Sequence, residues 1–163
     1  ELGVTKAALY HYARDKEDLL YKLHVRSLMA ARRARDDAVA QGRNGLDRVG
    51  RLVRNVVMVM TGSPTQTFML LEPDTLSGAH AQEIAAARRW LMHDLRDLVA
   101  QGIDDGSITP RDPDLAAFAI VGAQNWIGRW FRTGGPLPRE RIADEFESMM
   151  RGMLSSSTGH GGR

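Results

Sequence analysis

The side chains of this 163-residue chain that could do acid, base or metal chemistry do not cluster along the sequence. No two of its five histidines stand three or four residues apart, so no pair shares a helix face as metal ligands would. Paired carboxylates such as Asp104 and Asp105 are explained equally well as turn residues or helix caps. The chain contains no cysteine, and it lacks a Gly-x-Ser-x-Gly elbow, a Walker loop and a dinucleotide fingerprint. The sequence therefore predicts a protein that is not an enzyme and holds neither a metal nor a cofactor.

Basic side chains are concentrated in the first third of the chain. Residues 1–54 carry a net charge of +5 and residues 55–163 carry −3, which together give the overall +2. A solvated, arginine-rich helix face accounts for this excess, and so does an end of the molecule that faces nucleic acid. Charge alone leaves both interpretations open.

Apolar residues recur at intervals of three and four almost throughout, and no stretch shows sustained strand-like alternation. This spacing predicts an all-α protein. Asp15 and the Asp112-Pro113 pair mark helix starts, and Gly106 marks a helix end. The predicted helices cover about residues 5–12, 15–41, 46–60, 63–71, 79–103, 113–132 and 138–154.

A specific resemblance lies in the first twenty residues. It is carried by Gly-Val-Thr-Lys at 3–6, Leu-Tyr-His-Tyr at 9–12 and Asp-Lys-Glu-Asp-Leu-Leu at 15–20. At that spacing these segments resemble the recognition helix, and the start of the following helix, of the TetR family of bacterial transcriptional regulators. The resemblance implies a dimeric repressor with an N-terminal helix-turn-helix and a helical ligand-binding body. The sequence departs from the family at Ala13, where a bulky aromatic residue is usual.

The resemblance implies roles in DNA binding that agree with the chemistry of these side chains. At the first turn of a recognition helix, Lys6 can donate to guanine acceptors and Ala7 can contact a thymine methyl group. Tyr10 and Lys16 are implied as the stronger phosphate contacts. The candidate DNA-binding residues are Thr5, Lys6, Ala7, Tyr10, His11, Tyr12 and Lys16.

A helix-turn-helix needs a helix before its turn, and two residues precede Gly3. We therefore expect an N-terminally truncated form, whether by a shortened chain, a mis-assigned start or proteolysis. The expected organisation is a remnant of the DNA-binding domain at 1–22, a helical ligand-binding and dimerisation domain at 23–154 and a disordered tail at 155–163.

Methionine and tryptophan recur in the later helices, and both suit an adaptable apolar pocket. A weaker resemblance, carried by Gln-Asn-Trp-Ile-Gly-Arg-Trp-Phe at 124–131 and Ile-Ala-Asp-Glu-Phe at 142–146, is to family members that control fatty-acid or steroid catabolism and respond to acyl-CoA thioesters. We predict a hydrophobic small-molecule effector such as an acyl-CoA, and a well-packed core is the alternative. The candidate ligand residues are Met58, Met60, Phe68, Met69, Met92, Gln124, Asn125, Trp126 and Trp130.

The helix predicted over residues 113–132 is apolar on two nearly opposite faces. One face carries Phe118 and Trp126, and the other carries Ile120 and Ile127. One face can fill the core of its own chain while the other needs a partner, so we predict a two-fold dimer formed by this helix and residues 139–154. The residues assigned to the interface are Ile120, Ile127, Phe131, Phe146 and Met150.

Together these patterns predict a ligand-responsive transcriptional repressor that binds a palindromic operator as a homodimer and is released by a hydrophobic effector. Its partners would be operator DNA, a second copy of the chain and the small molecule, with no membrane, and it would act in the cytoplasm. The alternatives are a helical small-molecule carrier and a dimerisation module, neither of which binds DNA.

Overall fold

A computed structural model describes residues 13–62 and 76–155, which form five helices and no strand. The helices are α1 (Lys16–Gln41), α2 (Gly45–Gly62), α3 (Gly78–Asp104), α4 (Pro113–Trp130) and α5 (Arg139–Leu154). The all-α prediction is confirmed, and each of these helices begins and ends within two residues of its expected bounds. The helices expected at residues 5–12 and 63–71 lie outside the described residues.

Capping residues set the helix ends. At the start of α1 the Asp15 carboxylate accepts the backbone N–H of Asp18 at 2.8 Å. At the start of α4 the Asp112 carboxylate accepts the backbone N–H of Asp114 at 2.9 Å. Gly106, with φ +76°, supplies the left-handed residue that ends α3. These are the positions at which the sequence predicted the helices to start and stop.

Helix α2 packs against each of the other four helices. Val49, Val53 and Val57 are fully buried along it, as expected of a segment that is apolar on nearly every side. A main core joins all five helices, and a smaller cluster around Ile127 and Ile142 joins α2, α4 and α5. None of the helices in residues 13–62 and 76–155 is long and apolar enough to cross a membrane.

A buried carboxylate joins α2 to α5. Asp47 accepts from the Arg151 guanidinium at 2.7 Å, from the Arg43 backbone N–H at 3.1 Å and from Arg51 at 3.2 Å. Burial acts to raise the pKa of Asp47, but these donors, led by Arg151, outweigh it and hold the pKa well below its usual range. Arg151 also donates to Glu147 at 2.7 Å, so its charge is shared by two carboxylates.

The backbones of α2 and α3 meet where α2 begins. A Cβ atom built on Gly45 would lie 2.2 Å from the Cα of Gly102, so only glycine permits this approach. The loop after α3 also caps α2: the Asp105 carboxylate accepts the Gly45 N–H at 2.7 Å, and the Ser107 hydroxyl accepts the Leu46 N–H at 3.0 Å. The start of α2 is therefore fixed against the end of α3.

We expect Gly45→Ala to lower the free energy of unfolding by about 1–3 kcal/mol, because the methyl group meets backbone that cannot move aside. Gly62→Ala is the matched control at the other end of α2. Among the described residues its Cβ would meet the tip of the flexible Arg139 side chain and no backbone, so the change should stay within about 0.5 kcal/mol. Urea denaturation of both variants measures the difference, and equal stabilities would contradict the close approach.

Candidate ligand pocket

A cavity of about 300 Å³ lies between α1, α2, α3 and α4. Its wall is mostly apolar, with Val53 and Met60 from α2 and Val121 from α4. Helix α1 contributes small side chains there, including Ala31, so space remains between the helices that bulkier residues would fill. The cavity reaches the surface, since Asn125 on its wall is exposed.

His24 is a buried polar side chain on this wall. It is 1% exposed, and its Nε2 atom has no hydrogen-bond partner among the described residues. Burial and then the charge of Arg88 lower the pKa of His24 below its ordinary value of 6.5, so the imidazole is neutral at pH 7.

Charged side chains line the cavity only on α1 and α3 within the described part of the chain. Arg35 of α1 and Asp94 of α3 form a bidentate pair, with N···O distances of 2.8 and 2.7 Å. Arg88 of α3 adds a second positive charge, so the formal charge of the wall is +1 when His24 is neutral. On α4 the Gln124 amide donates to the Val53 carbonyl at 3.2 Å, which ties this polar group to α2.

A second junction joins α1 to α3 near the N-terminus of α1. The Glu17 carboxylate accepts the Ser77 backbone N–H at 2.8 Å and its hydroxyl at 3.0 Å. The Tyr21 hydroxyl donates to Glu83 at 2.7 Å, and its ring stacks on His80 with 4.0 Å between ring centroids. Helix α1 therefore makes polar contacts with α3 on both sides of the stretch that lines the cavity, through Glu17 and Tyr21 on one side and through Arg35 on the other.

Four of the predicted ligand residues lie on the cavity wall, and three do not. Met58 packs against the cluster around Ile127 and Ile142 instead. Trp126 and Trp130 lie on the outer surface of α4, with Trp126 64% exposed, so their indoles do not enter the cavity. The assignment of these three residues to the pocket is corrected accordingly. The four that line the wall are Met60, Met92, Gln124 and Asn125.

Other predicted site residues belong to segments outside the described residues, and their roles stay predictions. Lys16 is described, as the exposed first residue of α1. The others are Thr5, Lys6, Ala7, Tyr10, His11 and Tyr12 in the DNA-binding set and Phe68 and Met69 in the ligand set.

The sequence analysis missed His24, Arg35, Arg88 and Asp94. For His24 a signal was present, because it stands at helical spacing with Ser27, Ala31, Ala34 and Ala38, all of which are buried. A histidine that shares a helical stripe with small, mostly apolar residues is expected to be buried with them. Whether it has a partner depends on neighbouring helices, which the stripe alone does not reveal.

The two faces of α4 are both apolar, but the inner and outer faces are the reverse of those predicted. Ile120 and Ile127 are buried in the core of their own chain, so they cannot contact a partner. Leu115, Phe118 and Trp126 form the exposed face instead, with Phe118 59% exposed. The face available to a partner is therefore this one, which lies opposite the core.

The three remaining residues assigned to the interface are half-buried in the isolated chain. Phe131 packs against the smaller cluster, Met150 packs against the main core, and Phe146 packs against both. Their exposed neighbour on α5 is Met149.

The family model described as tetracycline repressor-like, C-terminal domain, matches residues 42–154. The HTH-type transcriptional repressor KstR2 of Mycobacterium tuberculosis is 25% identical over 165 residues, covering 94% of this chain and 78% of that protein. KstR2 of Mycolicibacterium smegmatis is 31% identical over 65 residues, covering 39% of this chain and 31% of that protein.

Solved structures show the same architecture. A TetR family transcriptional regulator, PfmR from Thermus thermophilus, aligns with a TM-score of 0.80 and 27% identity, covering 91% of this chain and 82% of that chain. AibR in complex with isovaleryl coenzyme A and operator DNA aligns with a TM-score of 0.75 and 30% identity, covering 93% of this chain and 80% of that chain.

Two alanine-to-leucine variants on one face of α1 test the cavity. Ala31 lines it, so Ala31→Leu should fill empty space and raise the free energy of unfolding by about 0.5–2 kcal/mol. Ala38 lies two turns away in the packed main core, so Ala38→Leu should lower the free energy by about 1–3 kcal/mol. Urea denaturation measures both changes. Destabilisation of equal size at the two sites would mean that no space exists beside Ala31.

Proposed function

Because this chain belongs to the TetR family of transcriptional regulators, which its residues 42–154 match, we propose that it acts as a ligand-responsive repressor. It binds an operator as a homodimer and releases it when a hydrophobic small molecule fills the cavity. The observation that carries this proposal is that α1, which begins directly after the segment that resembles a recognition helix, also forms one wall of the cavity. A repressor of this kind acts in the cytoplasm, where its operator is.

The size of the cavity supports an effector whose buried part is small. The cavity volume of about 300 Å³ is at the lower end of the range of about 300–1,000 Å³ that is usual for small-molecule sites. A short acyl group fits that volume, and coenzyme A does not. In an acyl-CoA complex the acyl group therefore occupies the cavity and the coenzyme extends outwards past Asn125. The isovaleryl coenzyme A bound to AibR is a ligand of this kind.

The two junctions between α1 and α3 support a route from the cavity to DNA. Helix α1 carries Lys16 at its first turn and His24 two turns further on, so both belong to one rigid rod. A ligand that separates α1 from α3 strains the Arg35–Asp94 pair at one junction and the Glu17–Ser77 contact at the other. The resulting tilt of α1 changes the spacing of the two recognition segments, which must meet major grooves about 34–36 Å apart.

The outward face of α4 supports a two-fold dimer. Leu115, Phe118 and Trp126 are exposed together, and a Cβ built on Gly122 between them would meet no atom of the described residues within 4 Å. Pairing α4 and α5 with their symmetry mates buries this face in a four-helix interface, to which Met149 contributes from α5. Exposed apolar patches on soluble chains commonly mark such contacts.

A mobility-shift assay tests the repressor proposal, using a duplex selected from a random pool by the native gene product that contains this chain. Saturating isovaleryl-CoA or octanoyl-CoA should release the duplex. Lys16→Ala should weaken the selected duplex and an unrelated duplex alike, and should reduce the slope of log affinity against log salt by about 0.9, because a phosphate contact carries no sequence information.

Arg89→Ala is the matched control for this assay, because it removes one exposed positive charge from α3 and should leave both duplexes bound as before. Selection of no duplex at all would refute the repressor proposal in favour of a small-molecule carrier. A complex that no acyl-CoA releases would refute the effector part.

Sedimentation velocity at micromolar concentration tests the dimer. We expect the wild type to be a dimer and Phe118→Glu to be a monomer, because the new charge would be buried without a partner. Met29→Glu is the matched control, since Met29 is an exposed apolar residue on α1, away from the proposed interface, and should leave the dimer intact. A monomeric wild type, or a dimeric Phe118→Glu variant, would disprove this interface.

A further inference from the structure

We infer that Leu28 of α1 and Leu91 of α3 set the length of the apolar chain that the cavity accepts. The two side chains form a wall between the cavity and a second space, a groove of about 230 Å³ that opens to solvent beside the exposed side chains of Met29 and Trp90. This inference rests on the proposed function in one respect, which is that the cavity is the effector site. It adds the class of ligand, a short acyl chain, and names the residues that select it.

The first argument is the position of the two leucines on their helices. Helix α1 turns one side towards the cavity, through residues such as Ala31, and a neighbouring side towards the groove, through residues such as Arg32. With about 3.6 residues per turn, Leu28 points between these two sides, and Leu91 occupies the same border position on α3. Among the described residues, these two line both spaces. Both are half-buried, as expected of side chains that have space on two sides.

The second argument is what lies behind the other walls of the cavity. Val53 on α2 and Ile120 on α4 belong to the main core, so a chain end that presses on them meets closely packed side chains. Behind Leu28 and Leu91 lies the groove instead. The proposed ligand leaves the cavity past Asn125, so its chain end points inwards. In the described part of the molecule, the wall between α1 and α3 is the place where that chain end meets a barrier one side chain thick.

The third argument is that contacts at both ends of the groove hold α1 and α3 in place. At one end the Tyr21 hydroxyl donates to Glu83 at 2.7 Å. At the other end the Arg32 guanidinium lies 4.3 Å from the ring centroid of Trp90. Neither contact involves the leucines. Shortening either leucine therefore joins the cavity to the groove rather than letting the two helices close on each other.

An apolar chain should gain affinity with each added carbon until it reaches the leucines. Each methylene group that enters an apolar site raises affinity by about fourfold. A chain that is longer than the cavity must bend back or displace the wall, so its affinity stops rising. The chain length at which the rise stops, here termed the break, therefore measures the position of the wall.

Isothermal titration calorimetry of the 163-residue chain measures the break with the even-numbered acyl-CoAs from butanoyl-CoA to dodecanoyl-CoA. In the wild type the break should fall within this series. Leu28→Ala and Leu91→Ala should each move it by two members or more, because the groove becomes available to the chain. Leu28→Val shortens the same side chain by less and should move the break in the same direction, so it serves as the test if the alanine variants do not fold.

Met92→Ala is the matched control. It deletes as many non-hydrogen atoms as a leucine-to-alanine change does, from a half-buried residue beside Leu91 that lines the cavity and not the groove. This change enlarges the cavity without joining it to the groove. The break should therefore move by one member of the series at most.

Tryptophan fluorescence locates the end of the chain. Bromine quenches the emission of an indole that it contacts, and Trp90 lines the groove. Dodecanoyl-CoA that carries bromine on its last carbon should quench the Leu28→Ala variant, and adding Trp90→Phe should remove that quenching. The wild type and Met92→Ala should show no quenching that depends on Trp90.

A break that moves equally far in Met92→Ala and in the leucine variants, or that moves in none of them, overturns this inference. An affinity that rises without a break across the whole series overturns it as well. In these cases the proposed function stands if octanoyl-CoA still releases the operator. Binding of no acyl-CoA by the wild type overturns this inference together with the effector part of the proposed function.

The opposite separation is also measurable. A break that the leucine variants move, with Trp90-dependent quenching, supports this inference even where no acyl-CoA changes operator affinity. That combination would refute ligand-induced release while leaving the roles of Leu28 and Leu91 in place.

Discussion

The Asp47 carboxylate on α2 accepts a hydrogen bond from Arg151 on α5, which lies 104 residues later in the sequence. Helix α2 packs against all four of the other helices. The charge of Asp47 can be buried because Arg151, Arg51 and the Arg43 backbone all donate to it. Through this contact α5 is fixed over one side of α2, and α1, α3 and α4 pack around the remaining sides. The position of each cavity wall therefore depends on how α2 is held, although neither Asp47 nor α5 touches the cavity.

Polar contacts between α1 and α3 flank the cavity on both sides. Along α1, Glu17 and Tyr21 form hydrogen bonds at the start of α3, and Arg35 pairs with Asp94 further along α3. Between these junctions α1 contributes Ser27 and Ala31 to the cavity wall beside His24 and Leu28, and the small side chains of Ser27 and Ala31 leave space there. An unfilled volume lowers the stability of the fold, and a ligand that fills it recovers part of that loss.

The helices and the family could be predicted from the sequence, because capping residues such as Asp15 and Asp112 and the spacing of apolar residues are local signals. The cavity could be predicted only in part. Met92 was found as an adaptable apolar residue, but the Arg35–Asp94 pair joins residues 59 positions apart and leaves no local pattern. Periodicity also showed that α4 has two apolar faces without showing which one is inside, since Ile120 and Phe118 are equally apolar and only the packing of α2 distinguishes them.

The three tryptophans of the chain are distributed so that each structural change has its own optical signal. Trp90 on α3 contacts α1, since the Arg32 guanidinium is 4.3 Å from its ring centroid. Trp126 and Trp130 lie on the outer surface of α4. Indole emission responds to nearby charge and to loss of water, so movement of α1 against α3 would alter the fluorescence of Trp90, and covering of α4 would alter that of the other two. Single-tryptophan versions of the chain would therefore separate ligand-induced movement from association without an added label.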